Sequence, residues 1–306
     1  MQGLGESYDE HRRAIFGLCY RMTGSAADAE DLVQETFSRA LERPPADRAA
    51  PLRPWLTRVA VNLCIDALRK RKRERYFGPW LPAPVETERL ADDLEPGPDA
   101  RIDRLESASA AFLRALEALD PRQRAVVVLR DVLGMSGAET AEALSLSSEN
   151  VRVIHHRARK ALESYEASRN PPTEEVRAKT ADALRRLLAA FATGDFDALR
   201  AMLAEDARST HDAGGEFHAA VRVVRGREAI LELYENLMRI TGAPTWFEER
   251  DYNGLPAVAL TRAVQGPKEA PRFVVQVELD REGRVREIVS VLASRKLAAV
   301  RFPEQA

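Results

Sequence analysis

"ALDPRQRAVVVLRDVLGMSGAETAEALSLSSENVRVIHHRARKAL", residues 118–162, is punctuated as a set of short helices. Asp120, Pro121 and Gln123 supply an N-cap, a first-turn proline and a third-position glutamine, which together start a helix. Gly134 closes it. Ser136 and Glu139 repeat the capping pattern and open a short helix ending near Leu144. "SLSS" then makes a tight turn, and a longer helix is predicted from about Glu149 to Ser164, with Val151, Ile154, Ala158 and Leu162 on its apolar stripe. Short helix, turn and longer helix is the helix-turn-helix pattern. Many three-helix domains share that outline, so the exposed face decides what is bound. Arg152, His155, His156, Arg159 and Lys160 project from it, which suits a recognition helix reaching base edges and phosphates in the major groove.

Upstream, Leu105, Ala108, Phe112, Leu116 and Leu119 share one helical face. Residues 7–22 form another amphipathic helix through Ile15, Leu18, Cys19 and Met22, and Gly24 ends it. Ser25 with Asp28 starts a second helix, which buries Ala29, Val33, Phe37 and Ala40 and presents Asp28, Asp31, Glu35 and Glu42 on its other side. A solvated face would show the same acidic stripe. After the loop "RPPADRAAP" the pattern returns over 52–73 through Trp55, Leu56, Val59, Leu63 and Ala67. This third helix ends in Arg69, Lys70, Arg71, Lys72, Arg73 and Arg75 against the single acid Glu74. Six cations exceed what capping a helix dipole requires, so phosphate contact is expected.

Residues 75–103, "RYFGPWLPAPVETERLADDLEPGPDARID", carry five prolines, several acids and few apolar side chains, and read as a tether. Plain tethers rarely carry a tryptophan, and Trp80 is therefore notable. From Glu174 the pattern changes. Helical runs at 174–192 and 196–204 precede strand-like segments at 219–225, 257–264, 272–279 and 284–293, with "REAILELYENLMRI" as a further helix and "DREG" as a turn. Helices followed by a largely antiparallel sheet indicate an independent α+β domain.

The 306 residues carry a formal net charge of only -2, so any nucleic-acid contact must come from local basic patches. Cys19 and Cys64 fall on apolar stripes and read as packing residues. No run approaches the roughly 18 apolar residues of a membrane span, and no signal peptide is evident, so a cytoplasmic protein without membrane contact is expected. His155 and His156 diverge on their helix and no His/Cys spacing suits a metal, so neither metal nor cofactor is expected.

Taken in order, "YRMTGSAADAEDLVQETFSRAL", "WLTRVAVNLCIDALRKRKR" and residues 118–162 resemble regions 2 and 4 of a bacterial extracytoplasmic-function sigma factor of the sigma-70 family. The C-terminal part resembles the SnoaL-like cone that one subgroup of these factors carries. "GPWLPAPV" matches that subgroup's "WLP" motif, with Ala83 where an acid is usual, and "HDAGGEF" matches its glycine-rich acidic motif, with Ala213 for a glycine. The resemblance implies a multidomain chain of two all-α sigma domains followed by an α+β domain. Region 2, a three-to-four-helix bundle, spans 1–77; a linker spans 78–104; the region 4 helix-turn-helix spans 105–168; the SnoaL-like domain spans 171–306.

The same resemblance assigns roles. Asp28, Asp31, Gln34 and Glu35 would hold core RNA polymerase at its beta-prime clamp helices, with the beta flap as a further contact. Asn62, Asp66, Arg69, Lys70, Arg71 and Arg73 would read or hold promoter DNA at the minus-ten element, and Arg152, His155, His156, Arg159 and Lys160 at the minus-thirty-five element. Trp80, Leu81, Pro82 and Pro84 would dock on Asp212, Gly214 and Gly215. The tether acids Asp92, Asp93, Glu95 and Asp99 would either mimic nucleic acid in the RNA path, as the family's linkers do, or remain solvated. Two other readings compete: a ligand-responsive helix-turn-helix repressor, and catalysis in the cone with His211, Asp212 or Asp251 as general base. No enzyme is expected, although the cone can hold a small-molecule ligand without chemistry.

Overall fold

The computed structural model describes residues 2–45, 51–73, 76–90, 103, 105–240 and 244–303. The tether acids Asp92, Asp93, Glu95 and Asp99, and the side chain of Arg73, lie outside what is described. The chain divides into two compact units, one of Met1–Arg75 with Glu88–Arg169 and one of Tyr76–Thr87 with Asn170–Ala306. The expected linker over 78–104 is therefore split, because its proline-rich first half packs as part of the second unit.

In the first unit, α1 (Gln2–Thr23) and α2 (Ala26–Glu42) pack on the stripes anticipated from periodicity, whereas α3 (Leu52–Arg73) buries Leu56, Ala60, Cys64 and Leu68 and leaves Trp55, Val59 and Ala67 of its expected stripe half-buried. Cys19, Val33, Ala60 and Cys64 are fully buried at their centre. The Ser25 side chain accepts from the Asp28 amide and starts α2. A short 3-10 turn, Thr87–Leu90, follows the docked segment. The single helix suggested by residues 105–119 is broken instead. Ser109 caps a new helix, α4 (Ala110–Ala115), by accepting from Phe112 N at 3.1 Å, and a 3-10 turn, Leu116–Ala118, follows. Serine competes for backbone amides, and here that local bond restarts the helix.

The helix-turn-helix is α5 (Pro121–Val127), α6 (Gly137–Leu144) and α7 (Ser148–Ala161), followed by α8 (Glu163–Ser168). Both capping boxes, Asp120 with Gln123 and Ser136 with Glu139, are closed. After α5 the chain continues as a π-turn over Val128–Val132, which carries Asp131. Arg124, 3% exposed, ties these helices to the first three. It donates to the carbonyls of Met22 at 2.9 Å and Leu116 at 2.7 Å and pairs with Glu117 at 2.8 Å. Glu117 also takes Arg71, at 2.7 Å.

The second unit holds α9 (Glu174–Thr193), α10 (Phe196–Met202), α11 (Arg227–Ile240) and a six-stranded sheet. Its strands are β1 (Leu203–Asp212), β2 (Val224–Arg225), β3 (Pro244–Tyr252), β4 (Leu255–Arg262), β5 (Arg272–Leu279) and β6 (Val285–Val291). Their order is β2-β1-β6-β5-β4-β3, with β1 parallel to β6 and the other neighbours antiparallel. Neither β1 nor β3 was apparent from periodicity, and the strand expected at 219–225 shrinks to two residues. The β1 sequence "LAEDARSTHD" has little intrinsic strand preference, yet it lies between two strands that supply its ladder.

Alternation along the strands gives the sheet two apolar faces. Val258, Val277 and Ile288 meet α9 and α11 through Leu184, Leu187 and Ile230. On the other face Ala257, Ala259, Val274 and Val289 meet Leu81 of the docked segment and Leu297 near the C-terminus. Replacing Arg124 with Met should remove its bonds to the Met22 and Leu116 carbonyls and its pairing with Glu117, and destabilise the first unit by about 3 kcal/mol, measured as a lower urea midpoint.

Candidate functional site

At the end of β1 the chain places His211 and Asp212 on opposite faces of the sheet. Asp212 has no exposure and its carboxylate accepts four hydrogen bonds. Oδ1 takes Tyr76 Oη at 2.5 Å and Gly214 N at 3.1 Å; Oδ2 takes Leu81 N at 2.7 Å and Lys296 Nζ at 2.5 Å. Lys296, 8% exposed, lies on a 3-10 turn, Ser294–Leu297, and also donates to the Leu81 carbonyl. Its ammonium lies 4.6 Å from the ring centroid of Tyr76 and 4.5 Å from that of Trp80, an arrangement in which aromatic faces stabilise a desolvated cation.

Two glycines shape the seat. Gly214 and Gly215 adopt φ of +57° and +78°, and a Cβ on Gly215 would stand 3.3 Å from the Phe77 ring. At its other end the segment is pinned by Asn253, whose Oδ1 accepts from Val85 N at 3.1 Å and whose amide donates to Val85 O at 3.0 Å. Gly254 N bonds Thr87 Oγ1 at 3.0 Å, and Glu86 pairs with Arg250 at 2.8 Å. Leu81, Pro82, Ala83, Pro84 and Val85 are all buried. The structure thus gathers Trp80, Leu81, Asp212, Gly214 and Gly215 around one ion pair. Lys296, Tyr76 and Asn253 were missed from sequence. A single lysine in the largely apolar stretch "SVLASRKLAAV" was the only available signal for the first.

His211 points instead among Ser209 and Tyr234, with Ser209 Oγ 2.9 Å from its Nε2 and 3.2 Å from Tyr234 Oη. Burial holds the His211 pKa down, at about 4. Asp251 pairs with Arg177. The three general-base candidates therefore have different partners and share no common centre.

On the first unit, Asp31, Gln34 and Glu35 stand exposed along α2 and Asp28 is half-buried. On α3, Asp66 pairs with Arg69 at 3.2 Å, and Lys70 is exposed. Asn62 and Arg71 are engaged from elsewhere in the unit. Asn62 Nδ2 donates to Ala143 O at 3.2 Å and Arg58 O at 2.7 Å, and Arg71 donates to Thr23 O at 2.7 Å besides pairing with Glu117. From α7, His155 meets Asp131 of the π-turn at 2.7 Å, and Arg159 lies 3.6 Å from the same carboxylate. Two of the five expected DNA contacts thus have acidic partners within the unit, with His155 half-buried and Arg159 exposed and also paired with Glu166 at 3.3 Å. Arg152 pairs with Glu149 at 2.8 Å on the surface, and His156 and Lys160 are exposed. Asn150, Val153 and Arg157, passed over in the sequence, also face outward. Among the described residues no His/Cys/Asp/Glu group could hold a metal, and no helix is long and apolar enough to cross a membrane.

Two helical modules, the second a helix-turn-helix, with the segment between them docked on an α+β domain, define a class. The chain belongs to the extracytoplasmic-function sigma factors of RNA polymerase. Family models match Sigma-70 region 2 over residues 7–74, Sigma-70 region 4 over 109–162 and a SnoaL-like domain over 184–288. Sigma factor SigJ of Mycobacterium tuberculosis is 37% identical over 241 residues, 77% of this chain and 73% of the relative. SigG of the same species is 38% identical over 217 residues, 62% of this chain and 56% of that one. The crystal structure of Mycobacterium tuberculosis SigJ superposes with a TM-score of 0.73 at 29% identity, covering 96% of this chain and 98% of the other. These relatives are sigma factors and not repressors.

Replacing Lys296 with Met should strand the Asp212 carboxylate and weaken docking by about 3 kcal/mol. The expected readout is faster hydrogen exchange at the Leu81 amide and a lower melting midpoint of the second unit. Acid should act separately, through His211. The fold keeps this imidazole neutral, so the unfolded chain takes up the proton first, and stability falls as pH drops from 6.5 toward about 4. The loss should approach about 3 kcal/mol by the lower limit, and His211→Gln should flatten the slope in pH-dependent denaturation.

Proposed function

We propose that this sigma factor docks on core polymerase through the exposed α2 face, Asp31, Gln34 and Glu35 with Asp28 at its edge. It reads the minus-ten element from α3 and the minus-thirty-five element from α7, in the cytoplasm where the polymerase works. The observation that carries this reading is the ordered pair of sigma modules, each with exposed cations on one helix, Arg69 and Lys70 on α3 and Arg157 and Lys160 on α7. At the minus-ten element Asn62, Asp66, Arg69, Lys70, Arg71 and Arg73 supply the base pocket and phosphate contacts. Melting is then driven by binding, with contacts to an unstacked base offsetting the few kcal/mol of unstacking.

At the minus-thirty-five element Arg152, His156 and Lys160 are joined by Asn150 and Arg157. His155 and Arg159 set the angle of α7 through Asp131, or exchange that carboxylate for a phosphate when DNA binds. Asn62 and Arg71 are held within the same unit by Ala143 O and Glu117, so full minus-ten contact requires those bonds to open. Core polymerase, by binding the two modules separately, supplies the free energy for that opening.

The latch gives the C-terminal domain its regulatory role. With 76–87 seated around Asp212 and Lys296, the chain leaving α3 is anchored to the second unit, and less of it is free to let the two modules separate. Release lengthens the tether; docking shortens it.

Run-off transcription with core polymerase, on a promoter selected from a randomised library, tests both parts. Arg157→Ala should reduce output about tenfold to a hundredfold, and Lys70→Ala less and with little dependence on sequence. Lys296→Met should change output from the same promoter. Transcription indifferent to Arg157 and Lys70 together would reject the DNA-reading faces, and indifference to Lys296→Met would reject the latch.

A further inference from the structure

Beside the latch, in the second unit, lies a cavity of about 180 Å³. Phe217, Leu292, Leu297 and Val300 form its apolar walls, and Arg272 and Ser294, both exposed, stand at its mouth. An engineered apolar cavity of about 150 Å³ in another protein takes benzene, so this one accommodates a single ring or a chain of about six carbons. It is separate from the space between sheet and helices, which His211, Ser209, Tyr234 and their apolar neighbours fill.

The mouth sets the chemistry. Among the described residues no carboxylate pairs with Arg272, whose guanidinium carbon lies 5.5 Å from the Phe302 ring centroid. A planar guanidinium beside an apolar hole offers a carboxylate two parallel hydrogen bonds while the rest of the molecule leaves water. We infer that this cavity binds a small hydrophobic carboxylic acid as its anion, ring or chain inward and carboxylate on Arg272, on the side away from Ser294, whose amide already donates to Glu216 at 3.2 Å.

The position of the cavity gives binding a consequence, and this step rests on the latch reading above. Ser294 and Leu297 line the cavity, and on the same 3-10 turn Lys296 holds Leu81 and Asp212. Leu297 also packs in the cluster that contains Leu81. The cavity has this shape with the segment docked. A ligand that fits it therefore binds the docked state in preference and shifts the population toward it.

The test uses the full chain with benzoate and hexanoate, and benzamide and hexanol as uncharged controls. Ligand-detected NMR reads binding, and hydrogen exchange at the Leu81 and Val85 amides reads docking. The acids should bind with Kd on the order of 1 mM or tighter, at least about tenfold better than the controls. At ten times Kd they should slow exchange at both amides about tenfold. Arg272→Gln should erase the preference for acids, and Ala298→Trp, at the cavity mouth, should abolish binding. No binding of either acid near about 10 mM, or binding untouched by both substitutions, would overturn the site. Binding that leaves Leu81 and Val85 exchange unchanged would overturn the coupling. A transcriptional effect of Lys296→Met without acid binding leaves regulation by the latch standing and removes the ligand, whereas acid binding with no effect of Lys296→Met does the reverse.

Discussion

A buried carboxylate is tolerable only when its charge is matched and its lone pairs are filled, and Asp212 meets that condition with partners from distant parts of the chain. Gly214 and Lys296 come from the C-terminal domain itself; Tyr76 and the Leu81 amide come from the segment between the sigma modules. Without that segment, Asp212 loses two of four donors and Lys296 loses a carbonyl and two aromatic faces. Docking therefore behaves as one event, because partial contact leaves charge buried and incompletely paired. Burial of Leu81 against the sheet and the bonds to Asn253 then extend the seat to Thr87.

The first unit follows a similar logic with opposite sign of partner. Its arginines, His155 and Asn62 have acids and a carbonyl at hand: Glu117 for Arg71 and Arg124, Asp131 for His155 and Arg159, Ala143 O for Asn62. On the proposed DNA-reading faces, those groups would compete with phosphates or bases. With an overall charge of only -2, the chain adds no general attraction for DNA to outweigh them. Specific binding then depends on the alignment of both modules at once, which is what a polymerase partner imposes.

Much of this was legible in the sequence where local rules act. The capping boxes at Asp120 and Ser136 marked the helix-turn-helix, and the apolar stripes of α1 and α2 fixed their buried faces. Trp80 and "HDAGGEF" pointed to the docking site only through the family resemblance. What escaped depends on tertiary partners. β1 is a strand because its neighbours pair with it, and its acidic sequence argues otherwise. Lys296 is a structural cation only because a loop over two hundred residues away in sequence reaches it. The pairing of His155 and Arg159 with Asp131 follows from the π-turn that carries that acid, a feature no propensity scale flags.

The separation between latch and seat also orders events in time. Leu81 precedes Lys296 by 215 residues, and at about 5–20 residues per second a ribosome needs on the order of ten to forty seconds to cover that distance. Throughout that interval both DNA-reading modules are made while the seat for the docked segment does not yet exist. Each new molecule therefore carries the segment, undocked, before it carries the lysine that holds it.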